Sequence, residues 1–173
     1  MDIEQKLLTG NKQFVKSLNE CKEKKDCCNN LIKGQHPYAL VITCSDSRVD
    51  PDTIFSTFLG ELFVIRTAGN VINDGELATV EYAIEHLNIK YILVLGHTHC
   101  GAIHASIHNE HGKYVDTILN RIRHSINSEC DEIKASEINA LSEAKYIQEC
   151  FPKYDGKVSA GIYDIETNLV RIL

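Results

Sequence analysis

Two short segments of the chain carry residue types that bind metal ions. The first places Cys44, Asp46 and Arg48 at alternate positions, and the second places His97 and Cys100 three residues apart. Two thiolates and one imidazole suit Zn²⁺, and three protein ligands leave one tetrahedral position open. The spacing therefore predicts a zinc site on Cys44, His97 and Cys100 with an exchangeable fourth position.

The pair formed by Asp46 and Arg48 decides what that fourth position can do. Asp46 lies two residues from Cys44, so both side chains point the same way along an extended segment. Arg48 can hold the Asp46 carboxylate in a bidentate pair, which leaves the fourth position free for water. A released Asp46 would instead ligate the zinc and close the site. A Cys44 nucleophile activated by His97 is an alternative, but it leaves Cys100 without a role.

Buried strands directly precede both segments. Residues 39–43 and 91–95 are short apolar, β-branched runs, which are typical of parallel strands covered on both faces. Ligands of open parallel sheets bind at the carboxyl ends of the strands, where the chain leaves the core. The two segments are therefore expected to meet at one edge of a sheet.

The remaining pattern predicts an α/β fold as a single domain over residues 1–173. Its mainly parallel central sheet is flanked by helices and ends in an antiparallel C-terminal edge hairpin. Residues 19–36 are predicted to form a loop or a short broken helix. Predicted helices span 2–18, 51–58, 75–87, 101–108, 114–127 and 135–150, and further predicted strands span 62–65, 158–165 and 169–173.

Composition excludes several classes of protein. The 173 residues are 43% hydrophobic and 24% charged, close to ordinary globular values, and the net charge of −6 argues against nucleic-acid binding. No stretch approaches the ~18 apolar residues of a membrane span, and the first residues lack the apolar core of a signal peptide. We therefore expect a cytoplasmic protein without a membrane partner, and its odd count of seven cysteines argues against a disulfide framework.

At CSDSRVDP, GELFVIRTAGN, VEYAIEHL and VLGHTHCGA, the chain resembles the β-class carbonic anhydrases. The similarity extends from about Leu8 to the C-terminal GIYDIETNLV. It implies the β-carbonic anhydrase fold, one Zn²⁺ per subunit, and reversible hydration of carbon dioxide to bicarbonate and a proton by zinc-bound hydroxide. In this family pattern Cys44, His97 and Cys100 bind the zinc, and Asp46 and Arg48 form the catalytic pair.

The resemblance also implies substrate contacts and a partner subunit. By it, Gln35 hydrogen-bonds the substrate, Phe63, Ala68 and Tyr82 line an apolar pocket, and Gly101 offers its backbone N–H near the zinc. It further implies a homodimer or higher homo-oligomer, in which the partner subunit supplies part of the pocket. The helix at residues 1–18 would dock on that partner.

One departure from the family bears on regulation. Some members build an allosteric bicarbonate pocket on a tryptophan shortly before the first zinc cysteine, whereas this chain has no tryptophan and carries Val41 at the matching place. Arg66 is present without that companion, so we expect the open, water-bearing zinc form. Two other functions stay open: a carbonyl sulfide or carbon disulfide hydrolase using the same site, and a non-catalytic zinc-binding regulator.

Other potential ligands are weaker candidates. His104 and His108 lie four apart on a predicted helix and could bind a second metal ion, although a solvated polar face is the favoured interpretation. One of these histidines, or His99, could carry protons to buffer. The thiols interpreted as free groups in a loop are Cys21, Cys27 and Cys28.

Overall fold

The protein, represented by a computed structural model, is described at residues 3–20 and 31–173. It divides into two units, Met1–Gln35 and His36–Leu173. Most of the predicted loop over 19–36, with its three cysteines, lies outside the described residues. No helix in the described ranges is long and apolar enough to cross a membrane.

The first unit contains helix α1, Ile3–Glu20, as the apolar periodicity predicts. Every residue of α1 is described and none is buried. Leu18 is partly exposed, and the other large apolar side chains of α1 are 42% to 76% exposed: Ile3, Leu7, Leu8, Phe14 and Val15. The amphipathic pattern therefore leaves an uncovered apolar face on this helix.

The second unit is built on a five-stranded sheet in the order β2-β1-β3-β4-β5. Strands β1 to β4 run parallel, and β5 pairs antiparallel with β4, which confirms the predicted fold class and terminal hairpin. The bounds are β1 Ala39–Cys44, β2 Leu62–Thr67, β3 Tyr91–His97, β4 Lys157–Asp164 and β5 Leu169–Ile172.

Helices connect the parallel strands. The predicted helix at 51–58 is shorter in the structure, because Ser56 adopts a left-handed φ of 54° that ends the helical path. Its start is as predicted, since Asp50 accepts a hydrogen bond from the backbone N–H of Thr53. The bounds are α2 Pro51–Ile54, α3 Asp74–Glu85, α4 Gly101–Ile107, α5 Asp116–Ile126 and α6 Glu132–Cys150, with a 3₁₀ turn at Ala68–Asn70.

The centre of the sheet forms the core that holds the site. All six residues of β1 are buried, as are six of the seven in β3, because apolar side chains pack on both faces of the sheet. Cys44 pairs in register with Thr67 of β2, and His97 pairs with Tyr163 of β4. The carboxyl ends of four adjacent strands therefore lie at one edge of the sheet.

An ion pair between a partly exposed arginine and a buried carboxylate joins α5 to α6. Arg121 donates from Nε and from a terminal nitrogen to the two carboxylate oxygens of Glu143, at 2.7 and 2.8 Å. The Glu143 side chain is only 1% exposed, and its burial raises the carboxyl pKa while Arg121 opposes that shift. The arginine therefore keeps a buried negative charge compensated.

We predict that Arg121→Ala destabilises the fold by about 3 kcal/mol near neutral pH, since it leaves the buried Glu143 carboxylate unpaired. Without Arg121 the folded-state pKa of Glu143 rises further above its unfolded value, so protonation favours the folded protein. The destabilisation caused by Arg121→Ala should therefore become smaller as pH falls toward about 4.3. Denaturant unfolding at several pH values measures this.

The matched control is Arg171→Ala, which removes an exposed partner of Glu137 on the edge strand β5. It should cost under about 1 kcal/mol, as exposed ion pairs do. If both variants lowered the free energy of unfolding equally, the role given to Arg121 would be contradicted.

Candidate metal centre

The structure brings Cys44, His97 and Cys100 together as their positions at strand ends predict. Cys44 ends β1, His97 ends β3, and Cys100 immediately precedes α4. The two Sγ atoms lie 4.0 Å apart, and the three candidate ligand atoms all lie within 4.8 Å of one another. All three residues are buried, so the cluster is an interior group of two sulfurs and one ring nitrogen.

His97 presents a free lone pair inside the protein. Its Nδ1 lies 2.9 Å from the backbone carbonyl of Thr98, and because a carbonyl only accepts, Nδ1 carries the proton. Nε2 is then the unprotonated nitrogen, and it is fully buried without a hydrogen-bond partner among the described residues. A buried polar atom without a partner is costly, whereas a metal ion would satisfy it. The Thr98 carbonyl orients the ring as metal-bound histidines are usually oriented.

The two cysteines share their environment unequally. Cys44 Sγ faces the Cys100 thiol and also accepts from the backbone N–H groups of Asp46, at 3.4 Å, and Gly69, at 3.3 Å. These donors lower the pKa of the Cys44 thiol, whereas the adjacent Cys44 sulfur and burial raise the pKa of Cys100. Two buried thiolates side by side need a cation, so the donor set and the free imidazole nitrogen fit Zn²⁺.

Gly69 is a structural requirement of the site that the sequence did not reveal. Its φ of 66° is left-handed, and an added Cβ would lie 2.8 Å from Ile122 Cδ1 of α5. Its carbonyl accepts from Asn139 Nδ2 of α6 at 2.8 Å while its N–H points at Cys44 Sγ. Two helices thus contact the residue whose N–H donates to Cys44 Sγ.

Asp46 and Arg48 form the bidentate pair that their spacing predicts. Arg48 Nε donates to Oδ1 at 2.9 Å, a terminal nitrogen donates to Oδ2 at 2.7 Å, and the Arg48 backbone N–H also donates to Oδ1. The guanidinium hydrogen bonds hold the pKa of Asp46 well below its usual range. Arg48 also donates to the His99 carbonyl, which links this loop to the one between His97 and Cys100.

Arg66 supports the same loop from β2. Its Nε donates to the Cys44 carbonyl at 3.2 Å, and a terminal nitrogen donates to the Asp46 carbonyl at 2.6 Å. Val41, at the position where some family members carry tryptophan, is 2% exposed and packs with Leu93 in the core. Arg66 therefore holds the backbone of the site through hydrogen bonds. Its side-chain type alone did not indicate this role.

The structure does not bring two of the predicted pocket residues to the metal ligands of the same chain. The ring centroids of Phe63 and Tyr82 lie 6.2 Å apart, so the two side chains pack against each other. Phe63 pairs in register with Leu40, four residues before Cys44. At about 3.3 Å per residue, this puts Phe63 roughly 13 Å from Cys44 along the strand.

The other predicted residues have mixed placements. Ala68 begins the 3₁₀ turn beside Gly69, and Gly101 is the exposed first residue of α4, next to Cys100. Gln35 belongs to the first unit, so its contact with substrate stays a prediction. His99 is exposed in a left-handed conformation, and its Nε2 lies 2.9 Å from Glu166, a partner that the sequence did not suggest.

Comparison with known proteins agrees with this arrangement. The chain is 49% identical over 104 residues to carbonic anhydrase of Synechococcus elongatus, covering 57% of this chain and 38% of that protein. It is 38% identical over 126 residues to carbonic anhydrase 2 of Mycobacterium tuberculosis, covering 69% and 61%. The chain thus spans between about two fifths and three fifths of the length of these curated relatives.

Solved structures extend the likeness to the whole fold. The β-carbonic anhydrase CafA of Aspergillus fumigatus superposes with a TM-score of 0.88 at 27% identity, covering 99% of this chain and 91% of that one. The β-carbonic anhydrase CcaA gives 0.84 at 32% identity, covering 98% and 86%. The family model described as carbonic anhydrase matches residues 39–170. Since that match includes all four parallel strands and all three candidate metal ligands, the chain belongs to the carbonic anhydrase family and has its β-class fold.

Proposed function

We propose that the protein catalyses the reversible hydration of carbon dioxide to bicarbonate and a proton, using one Zn²⁺ per chain held by Cys44, His97 and Cys100. The observation that carries this proposal is the buried, unpaired His97 Nε2 beside two thiol sulfurs and next to a carboxylate locked by arginine. The names of the relatives support the same activity.

The three side chains leave one coordination position for the chemistry. A bound zinc ion would supply a Lewis acid that turns water into a nucleophile near neutral pH. Cys44, His97 and Cys100 would hold the ion, since all three lie at the same sheet edge. The thiolates neutralise much of the ion's charge, so we expect activity to rise toward mildly alkaline pH.

Asp46 is suited to orienting the nucleophile rather than storing its proton. Its depressed pKa keeps the carboxylate ionised across the working pH range and makes it a weak base. An ionised carboxylate can only accept, so it can take a hydrogen bond from the attacking water and set its direction. Arg48 occupies both carboxylate oxygens, which opposes ligation of the zinc by Asp46 and favours the open site.

We also propose that a second copy of the chain completes the substrate pocket. Phe63 and Tyr82 can line the pocket only from a partner subunit, because they lie far from Cys44 in their own chain. Tyr82 is 46% exposed, and α1 presents an uncovered apolar face, so both have surface available for a subunit contact. These features support a homodimer or higher homo-oligomer.

The first prediction from this proposed function concerns the catalytic pair. Zinc-loaded protein should hydrate carbon dioxide at about pH 8, while Asp46→Asn and Arg48→Ala should each lower kcat/KM by roughly 10²-fold, since general acid–base and orienting groups contribute on that scale. Stopped-flow turnover with zinc content measured in parallel separates loss of chemistry from loss of metal.

Asp52→Asn is the matched control, because Asp52 is an exposed carboxylate in α2 that accepts a hydrogen bond from Thr57, a residue beyond the end of the same helix. It should leave turnover unchanged. A wild-type protein that holds one zinc per chain and stays inactive would overturn the proposed activity and favour a non-catalytic zinc-binding role.

A second prediction concerns the metal ligands. His97→Gln and Cys44→Ser should each reduce bound zinc from one per chain to a small fraction, measured by elemental analysis, because two ligands and water hold the ion poorly. His111→Gln should retain it, since His111 is an exposed side chain paired with Asp116.

A strong chelator should lower the melting temperature of the wild type, since an ion bound at about 1,000 times its Kd adds about 4.1 kcal/mol of stability. The His97→Gln variant should show no such shift. Full zinc content in that variant would disprove the assigned ligand set.

A third prediction concerns assembly. Sedimentation of the wild type should give at least twice the mass of one chain, and Leu7→Glu together with Phe14→Glu should shift it toward smaller species by charging the apolar face of α1. Lys12→Glu, a charge change outside that set of apolar residues, is the control. A monomer with full activity would contradict the proposal that two chains share one substrate pocket.

A further inference from the structure

A cluster of histidines on α4 lies apart from the proposed catalytic site. His104 is in the last turn of α4 and His108 follows its end, one turn later on the same face. Their rings stack with centroids 4.1 Å apart and planes inclined by 30°. Neither residue has a role in the metal centre formed by Cys44, His97 and Cys100.

The hydrogen bonds determine which nitrogen of each ring is free. His104 Nδ1 lies 2.7 Å from Glu132 Oε1, and His108 Nδ1 lies 2.9 Å from the backbone carbonyl of His104. Both partners are pure acceptors once the Glu132 carboxylate is ionised, so both Nδ1 atoms carry the proton in the neutral rings. Each Nε2 is left with its lone pair.

This pattern is the one that transition-metal sites use. A metal-binding histidine usually gives its other N–H to a carboxylate or a backbone carbonyl, which fixes the ring and raises the basicity of the free nitrogen. His104 has the carboxylate and His108 has the carbonyl. One candidate ligand atom from each of His104, His108 and Glu132 lies within 4.8 Å of the other two.

The site is open to solvent and bridges two helices. The side chains of His104 and Glu132 are 52% and 37% exposed, so an ion can reach them directly. Glu132 is the first residue of α6, whereas the histidines belong to α4 and its end. An ion held here would connect the two helices through the Glu132–His104 hydrogen bond.

We propose that His104 and His108 bind a second divalent transition ion through their Nε2 atoms, with Glu132 as the carboxylate that orients His104. Imidazole ligands suit Zn²⁺, Ni²⁺ and Cu²⁺, whereas Ca²⁺ and Mg²⁺ prefer oxygen ligands. Water fills the remaining positions, since two ring nitrogens alone do not complete a coordination shell. The ion stabilises the contact between α4 and α6 and takes no part in hydration of carbon dioxide.

Calorimetric titration of the zinc-loaded protein with Ni²⁺ alone tests this site. The wild type should bind one Ni²⁺ per chain beyond its zinc, and His104→Gln or His108→Gln should weaken that binding by at least about 10-fold. Glu132→Ala should weaken it by about 10- to 100-fold, the usual effect of removing a partner that orients a metal ligand. His111→Gln, a nearby exposed histidine, should bind Ni²⁺ as the wild type does.

Melting curves give a second readout that does not depend on stoichiometry. Ni²⁺ should raise the melting temperature of the wild type and the His111→Gln variant but not that of the His108→Gln variant. Unchanged Ni²⁺ affinity in both His104→Gln and His108→Gln, or no binding at millimolar Ni²⁺, would overturn the proposal. The Ni²⁺ affinity and the melting temperature are both measured without carbon dioxide, so the result stands apart from the proposed activity.

Discussion

The buried imidazole of His97 is the group on which the rest of the site depends. Its proton is held on Nδ1 by the Thr98 carbonyl, and its free nitrogen is buried and makes no hydrogen bond with the described residues. Cys44 and Cys100 meet at the same place as two buried thiols whose pKa values are driven apart. A divalent cation resolves both costs at once, by taking the lone pair and allowing both thiols to ionise.

Much of the surrounding structure keeps these ligands in register. Gly69 has a left-handed φ that favours glycine, an added Cβ would meet Ile122 of α5, and the Gly69 carbonyl accepts a hydrogen bond from Asn139 of α6. The Arg121–Glu143 pair joins those two helices. Packing far from the ligands therefore positions the N–H that donates to Cys44. Weaker packing between α5 and α6 should disturb the position of that N–H.

The sequence predicted the fold class and the ligand cluster for a local reason. Continuous apolar runs mark strands covered on both faces, and residues directly after two such strands must meet at one sheet edge. It did not reveal the contacts of Gly69 with Asn139 or of Arg66 with the Cys44 carbonyl, because these join residues 70 and 22 positions apart without any local pattern. The pocket roles proposed for Phe63 and Tyr82 require a second chain, which no pattern within one sequence places.

The balance between an open and a closed site follows from competition for Asp46. To ligate zinc, its carboxylate would have to leave two guanidinium hydrogen bonds and a backbone N–H. Arg66 holds the Asp46 carbonyl at the same time, so the backbone is restrained as well as the side chain. Closure therefore requires a ligand that binds the closed form more tightly than the open one, because a ligand with equal affinity for both cannot shift the equilibrium. With Val41 buried in place of tryptophan, Arg66 lacks the companion with which some family members bind bicarbonate, and this favours a site that stays open.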